Sequence, residues 1–356
     1  MPQKIYALIL AGGSGERFWP LSRKAKPKQL LTLFSDQTLL EDTVTRLSGL
    51  VEPENILILT NEDQEAAVRA LMPGLPAENI VAEPAKRDTA AAIALGVGWV
   101  SKRDRSATMM VLPADHLIQD TKGFQKTLKT AAAAAEQSGK LVTIGIRPTW
   151  ACPGFGYIEM GNKTAGFDGK EAAEVCEVER FREKPNAALA ETFLKQGNFR
   201  WNAGMFIWTI PSILSALHRY TPELGMFVEK VHECSDLTAL LKKHFGGLPK
   251  ISIDYAIMEK AHALMVEAAF DWDDVGGWAA AAKYWKQDDC GNIGNAVMTT
   301  HDSLNNIVYT TEKAHIALMG VRDLIVVQTG DSILIASRHD AENIKKLVGK
   351  IPPELQ

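Results

Sequence analysis

The sequence predicts an α/β fold: an open, mostly parallel sheet with helices on both faces, followed by a small β-rich domain. Three observations carry that expectation. Over the first 150 residues, short apolar runs alternate with longer helical patterns, the βαβα order that builds parallel sheets. From about 151 to 285 strand and helix patterns mix without that regularity. Beyond a polar, turn-like stretch at 286–292, brief β runs follow one another up to a last helical pattern.

Taken in order, residues 5–10 are a continuous apolar run and read as a buried strand. Residues 38–50 read as a helix, because Thr38 and Glu41 have capping-box spacing and Leu40, Val44 and Leu47 share a face. Residues 56–59 form a second strand, after which Asn61 caps a helix that Pro73 ends. Another helix begins near Asp88, residues 109–112 make a buried strand, and an alanine-rich helix runs from about 123 to 137, closed by Gly139. Strands follow at 141–146 and near 155–160, 175–181 and 205–209, with helices near 211–220 and 254–260. The tail holds strands at 306–309, 315–319, 324–328 and 332–336, then a helix from about Asp340. The expected division is 1–285, with halves 1–150 and 151–285, and a separate 286–356.

Composition narrows the function. Hydrophobic residues are 46% and charged residues 23%, enough for a sizeable core and too apolar for general disorder. A net charge of -4 with both signs interspersed argues against a broad cationic face for nucleic acid. Cys152, Cys176, Cys234 and Cys290 form no C-x-x-C pair, which disfavours a zinc ribbon and fits a reduced compartment. The N-terminal apolar run is too short for a signal peptide and no run spans a bilayer. The expectation is a cytoplasmic protein without membrane partners.

The most informative stretch is Gly12-Gly13-Ser14-Gly15-Glu16-Arg17, directly after the first strand. Ligands of open parallel sheets bind at the carboxyl ends of strands, where glycine N–H groups can face an anion. Arg17 offers a fork of donors and Lys28 a second cation. No lysine follows at P-loop spacing, and Phe18 stands where a dinucleotide fingerprint needs glycine. By itself the loop reads equally well as a glycine turn with surface charges. Two acidic groups sit where a cation would be held: Asp115 at the tip of an apolar strand, and the cluster Asp271, Asp273, Asp274. Each also reads as an ordinary turn. His116, with no second histidine at ligand spacing, reads as a structural neighbour.

At this point the blocks align with a family. Residues 12–23 together with Pro27-Lys28-Gln29 resemble the signature of the sugar-phosphate nucleotidyltransferases, in the form seen in GDP-mannose pyrophosphorylases (mannose-1-phosphate guanylyltransferases). Further similar blocks follow in family order at 83–90, 112–116, 154–158, 181–185, 201–206, 253–260 and 272–276. The resemblance implies a Rossmann-like nucleotidyltransferase fold with a short β-helical tail often used in dimerisation, hence a homodimer. It implies GTP and mannose 1-phosphate as substrates, GDP-mannose and pyrophosphate as products, and Mg²⁺ as cofactor. Another triphosphate or hexose 1-phosphate, or a silent GDP-mannose-binding homologue, are the competing readings. The phosphomannose isomerase domain fused to longer members is not expected, and Asp88 replaces a common asparagine.

The resemblance also assigns residues. Arg17 and Lys28 become the catalytic cations, and Asp115 with Asp274 the metal ligands; Asp274 is preferred to Asp273 by the family block alone. Leu10, Ala11, Gly12, Gly13, Gly15 and Glu16, with Glu83, Pro84, Thr89, Ala90 and Asp115, line the nucleotide; Glu83 can accept from guanine N1–H and N2–H₂. Gly156, Tyr157, Glu183, Lys184, Asn202, Gly204 and Asp254 line the sugar.

Overall fold

A nine-stranded sheet organises the larger part of the chain. A computed structural model describes residues 3–164 and 173–356. Strands β1 (Ile5–Leu10), β2 (Ile56–Asn61), β3 (Ile80–Glu83) and β4 (Thr108–Pro113) run parallel in the order β3-β2-β1-β4. β5 (Leu141–Ile146) pairs in parallel with β9 (Ala263–Glu267), while β6 (Tyr157–Lys163) and β7 (Val175–Arg182) close the far edge antiparallel. β8 (Phe199–Thr209) is inserted antiparallel between β4 and β5, so the sheet is mixed and mostly parallel, as expected. Its first residues also pair with β6, and its pairing with β4 and β5 joins the second half to the first.

The chain winds from β1 outward to β2 and β3 and then returns to β4. The order therefore reverses between β1 and β4, the place where such sheets hold ligands. Leu10 and Pro113 are register partners, and Ala114 N–H donates to the Leu10 carbonyl at 3.0 Å. The glycine loop and the Asp115 loop thus emerge side by side.

Helices α1 (Leu39–Thr45), α2 (Glu65–Leu71), α3 (Asp88–Arg103) and α4 (Thr121–Ser138) provide the crossovers. Helices α5 (Ala187–Gln196), α6 (Ile210–Tyr220), α7 (Pro222–Glu233) and α8 (Leu237–His244) belong to the second half. One apolar core lies between the sheet and α3, α6 and α7, the other beneath α1, α2 and α4. Small residues let α3 approach closely: a Cβ on Gly98 would stand 2.5 Å from Val231 of α7, and one on Gly96 2.6 Å from Leu8. None of the described helices is long and apolar enough to cross a membrane.

Several expected elements change extent. The capping box at Thr38 and Glu41 is present, but α1 stops at Thr45. Its end tightens into i−3 bonds (Leu47 to Val44, Ser48 to Thr45) as Arg46 turns inward and Gly49 takes φ 77°. Asn61 Oδ1 accepts from Gln64 N–H at 3.1 Å, capping a turn just before α2. The helix expected at 254–260 is a single wide turn, Asp254–Met258. Helices α5, α7 and α8 and strand β9 lie where the sequence reading placed no element.

After α9 (Trp278–Ala281), the tail stacks short rungs. β10 (Ile293–Gly294), β12 (Ile307–Thr310) and β14 (Leu324–Gln328) are parallel, as are β11 (Val297–His301) and β13 (His315–Met319). β15 (Ile333–Ser337) adds antiparallel to β14, and α10 (Ile344–Val348) follows. Ile293, Ile307 and Ile325 stack in register, and Asn306 Nδ2 donates to Asn292 Oδ1 at 2.8 Å beneath them. A third core joins this domain to the loop after β1, with Phe18, Trp19 and Trp278 against Ile307, Ile325 and Ile344.

Candidate active site

The glycine loop is pinned from behind by amides. Gln29 Nε2 donates to the carbonyls of Ala11 (2.7 Å) and Gly13 (3.2 Å), Gln64 Nε2 to Gly13 (3.1 Å), and Asn61 Nδ2 to Gly12 (3.4 Å). With its carbonyls engaged, the loop keeps its N–H groups available: those of Gly12, Gly13, Ser14 and Gly15 have no hydrogen-bond partner among the described residues. Such a row of N–H groups is an anion cradle. Gly15 has φ 59°, and a Cβ there would lie 2.5 Å from Lys28 N, so only glycine lets the loop rest on Lys28.

Lys28 sits in a short turn behind Pro27 and is only 6% exposed. Its Nζ donates to Asp115 Oδ2 at 3.0 Å and to the main-chain carbonyl of Asp274. Burial would raise the Asp115 carboxyl, but the Lys28 charge, His116 and the Lys28 hydrogen bond together hold it below its ordinary range. Asp274 is different. Burial raises its carboxyl, Asp273 and Asp115 push the same way, and Lys28 and Arg17 oppose them. No described hydrogen bond reaches the Asp274 carboxylate, whereas Asp273 is occupied: Oδ1 accepts from Val275 N–H (2.8 Å) and Oδ2 from Tyr284 (3.1 Å).

Arg17 packs over Gly276, where a Cβ would lie 2.9 Å from its Nη1, and it pairs with Glu342 Oε2 at 2.9 Å. That partner comes from the C-terminal domain and has no signal in the sequence. Glu16, with Ser14, Lys86 and Lys345, lines a cleft between the loop and α10. No described hydrogen bond or ion pair joins Glu16 to Lys28, Asp115 or Asp274. His116 Nδ1 accepts from Trp272 Nε1 at 3.1 Å, and burial drives its pKa down to about 4. It is a neutral strut, with no proton to give near neutral pH.

Leu10 and the buried Ala11 lead from β1 into the crevice, and Glu83 ends β3 beside them. A Cβ on Gly12 would lie 3.5 Å from Glu83 Oε2, while Glu83 Oε1 is buried with no hydrogen-bond partner. Burial pushes this carboxyl up to about 8. Pro84 continues the same wall, half-buried. Asp88 has φ 63°, a left-handed conformation that asparagine and aspartate tolerate best, which accounts for the Asn–Asp interchange there. Thr89 and Ala90 are used as braces: Thr89 Oγ1 accepts from Ile253 N–H (2.9 Å), and Ala90 N–H donates to Ile251 O (3.2 Å). They tie the nucleotide half to the segment preceding Asp254.

In the second half, Asn202 N–H donates to Gly156 O (2.8 Å), its Nδ2 to Asp254 Oδ1 (2.7 Å), and its Oδ1 accepts from Gly204 N–H (3.1 Å). A Cβ on Gly156 would meet Glu183 Oε2 at 2.5 Å, so Glu183 lies directly over that glycine. Burial and then the Glu183 charge push Asp254 up to about 6, against the Asn202 bond. Lys184 is well exposed, with Nζ 3.4 Å from Glu183 Oε1. Tyr157 needs correction as a sugar ligand. Its ring is fully buried against Phe193, and its hydroxyl accepts from Cys152 N–H at 3.0 Å, so the side chain cannot reach the pocket.

Comparison with known proteins identifies the family and the fold. Residues 6–289 match the nucleotidyl transferase family, and residues 294–351 match the mannose-phosphate isomerase/GMP-like β-helix domain. The chain is 38% identical over 358 residues to mannose-1-phosphate guanylyltransferase of Escherichia coli (strain K12), covering 98% of this chain and 73% of that protein. A crystal structure named as a mannose-1-phosphate geranyltransferase from Thermus thermophilus superposes with a TM-score of 0.86 at 36% identity, covering 98% of this chain and 99% of the other. One named as mannose-6-phosphate isomerase from Helicobacter pylori has a TM-score of 0.61 at 29% identity, covering 76% and 99%.

Proposed function

This chain belongs to the nucleotidyl transferase family, and we propose that it transfers GMP from GTP to α-D-mannose 1-phosphate, giving GDP-mannose and pyrophosphate. The observation that carries the reading is the Lys28 clasp. One buried ammonium joins the Asp115 loop to the Asp274 loop beneath a glycine cradle with free N–H groups.

The chemistry follows from charge. A phosphate oxygen of mannose 1-phosphate attacks the α-phosphorus of GTP, and the bond to pyrophosphate breaks in line. The attacking oxygen is already ionised, so no side chain must take its proton. The protein's task is to hold two anions together, and two unit charges 4 Å apart repel by about 4 kcal/mol at an effective dielectric near 20. Lys28 and Arg17 offset that repulsion, and the glycine N–H groups orient the phosphates. Asp115 and Asp274 would hold a divalent cation, Mg²⁺ by its preference for one or two carboxylates with phosphate oxygens, and the ion supplies further positive charge. The residues fit it: both are hard oxygen donors, and the Asp274 carboxylate has no other described partner.

Selectivity divides between the halves. The partnerless Glu83 oxygen accepts from guanine N1–H and N2–H₂, donors that adenine lacks. Glu183, Asn202 and Asp254 receive the sugar hydroxyls. We also propose a homodimer, to be checked by light scattering, and a cytoplasmic location, in keeping with four unpaired cysteines.

Pyrophosphate release across GTP, UTP, dTTP and several hexose 1-phosphates tests the whole reading. GTP with mannose 1-phosphate should be fastest. A preference for a pyrimidine triphosphate would replace the substrate assignment, and tight GDP-mannose binding without any turnover would make the chain a sensor.

A further inference from the structure

Arg46 is a buried cation in the wrong kind of place. It is 4% exposed, forms no ion pair among the described residues, and its Nε has no partner. Asp42 and Asp271 lie close enough to favour its charge, but a buried charge stays costly unless its donors are well used. Here Nη1 donates to Ile118 O (3.3 Å), while Nη2 donates to His116 O (3.3 Å) and Thr43 Oγ1 (2.8 Å). The guanidinium also lies over the Phe124 ring, 5.7 Å from its centroid. Both carbonyls belong to the three residues that follow Asp115.

Those three residues are in turn fastened to the other acidic loop. Leu117 and Asp273 exchange main-chain bonds (2.9 and 3.1 Å), and Trp272 donates to His116. Next to them, the N–H groups of Gln119 and Asp120 donate to the Asp271 carboxylate. A shift of the 116–118 turn would therefore move Asp115 directly and Asp274 through its neighbour.

We propose that Arg46 is a positioning residue that sets the spacing of Asp115 and Asp274. This rests on the reading that these two aspartates hold the divalent cation. Arg46 lies behind the Asp115 turn and hydrogen-bonds it through main-chain carbonyls; its charge also bears on His116 and Asp271, a contribution that Arg46→Lys keeps, so a loss in that variant reports on geometry. A lysine keeps the charge but offers one nitrogen in place of the fork whose two nitrogens reach the two carbonyls, and methionine offers no donor.

The test measures Mn²⁺ binding by its paramagnetic signal on the full chain with GDP-mannose present, where no turnover is needed. Arg46→Met should weaken Mn²⁺ binding about 10- to 100-fold and Arg46→Lys by an intermediate factor, as for other groups that orient metal ligands. At saturating metal, KM for mannose 1-phosphate should stay within about twofold. Folded Arg46→Met with wild-type Mn²⁺ affinity overturns the proposal, as does an equal loss for metal and sugar phosphate. If the methionine variant fails to fold, Arg46→Lys decides: weakened Mn²⁺ binding supports the role and unchanged binding removes it. Asp115→Asn separates the two layers. Should it bind Mn²⁺ like the wild type, the cation assignment itself falls; should it lose Mn²⁺ while both Arg46 variants keep it, only the Arg46 role falls.

Discussion

The two sides of the crevice solve opposite electrostatic problems. At the Lys28 clasp the acids lie in the fields of Lys28 and Arg17, only the Asp274 carboxylate lacks a described hydrogen bond, and the surrounding loops are fastened to one another. In the proposed sugar pocket Glu183 and Asp254 stand together with Asn202 as the chief relief, and Asp254 is pushed up to about 6. Fixed positive charge suits phosphates, which arrive ionised. Crowded carboxylates suit hydroxyls, which bring donors that relieve the crowding. The contrast predicts that neutralising a charge has opposite effects on stability on the two sides.

The largest effect should come from the clasp. Lys28→Met removes the cation that touches both loops, and turnover should fall by at least about 100-fold, the scale of losing one transition-state donor. Its melting temperature should drop as well, because Asp115 is left without its ion-pair partner. Asp274→Asn should match the loss of turnover. Asp273→Asn should chiefly lower the melting temperature, since that carboxylate already serves Val275 and Tyr284. Steady-state pyrophosphate release and thermal melts on the three variants would break the comparison if Asp273→Asn were the inactive one.

The next effect is a pH dependence. Glu83 titrates at about 8, raised by burial, so at pH 6 it is protonated in the free protein. If guanine is held by the carboxylate, as proposed, binding must release a proton. Affinity for GTP should therefore rise with pH, by at most about tenfold per unit, and level off above about 8. The stability sign runs the other way: an acid with a raised folded pKa favours the fold at low pH, and this contribution is lost as pH climbs from about 4.5 through 8. GTP binding by Glu83→Gln, measured from pH 6 to 9, serves as the control. If it keeps the wild-type slope, Glu83 is not the titrating group.

On the sugar side, Glu183→Gln should raise the melting temperature of the free protein by about 1–3 °C above pH 6, because it removes a like charge beside Asp254. The same change should raise KM for mannose 1-phosphate by about tenfold, since a hydroxyl loses an ionised acceptor. A lower melting temperature would mean that Glu183 is held by its neighbours more firmly than the geometry indicates.

Much of this is legible in the sequence alone. The apolar run of β1 ahead of Gly12, the Thr38–Glu41 box, and Asp115 after a wholly apolar strand are local patterns, and the fold keeps them. What local pattern cannot carry is how distant strands meet. The antiparallel β8 is placed by pairing with β4 and β5, whose residues lie about 60 to 100 positions earlier in the chain. Tyr157 misleads for a related reason: Tyr157 and Ile158 are both buried, so β6 shows no alternation there to reveal which face is open. Choosing Asp274 over Asp273 on physical grounds needs the hydrogen bonds that occupy Asp273. Gln64 and Arg46 act through main-chain carbonyls far away in sequence, and no spacing signals that.

The smallest effect concerns the contact between the two domains. Arg17 is half-exposed and Glu342 largely exposed, so their pair is a surface ion pair with little net energy. The rest of the loop is seated without it: Trp19 Nε1 donates to Leu355 O (2.8 Å), Lys24 N–H to Gln356 O (3.2 Å), and Arg23 pairs with Asp331 (2.6 Å). Glu342 therefore does not hold the loop in place, but it does occupy the guanidinium proposed to meet the triphosphate. Glu342→Gln should lower KM for GTP by roughly twofold, within the range that such pairs contribute, while kcat and melting temperature stay put. Added salt should shrink the difference, as it screens the competing carboxylate. A raised KM would reverse the assignment and make Glu342 a residue that aims Arg17, extending the well-compensated side of the crevice into the C-terminal domain.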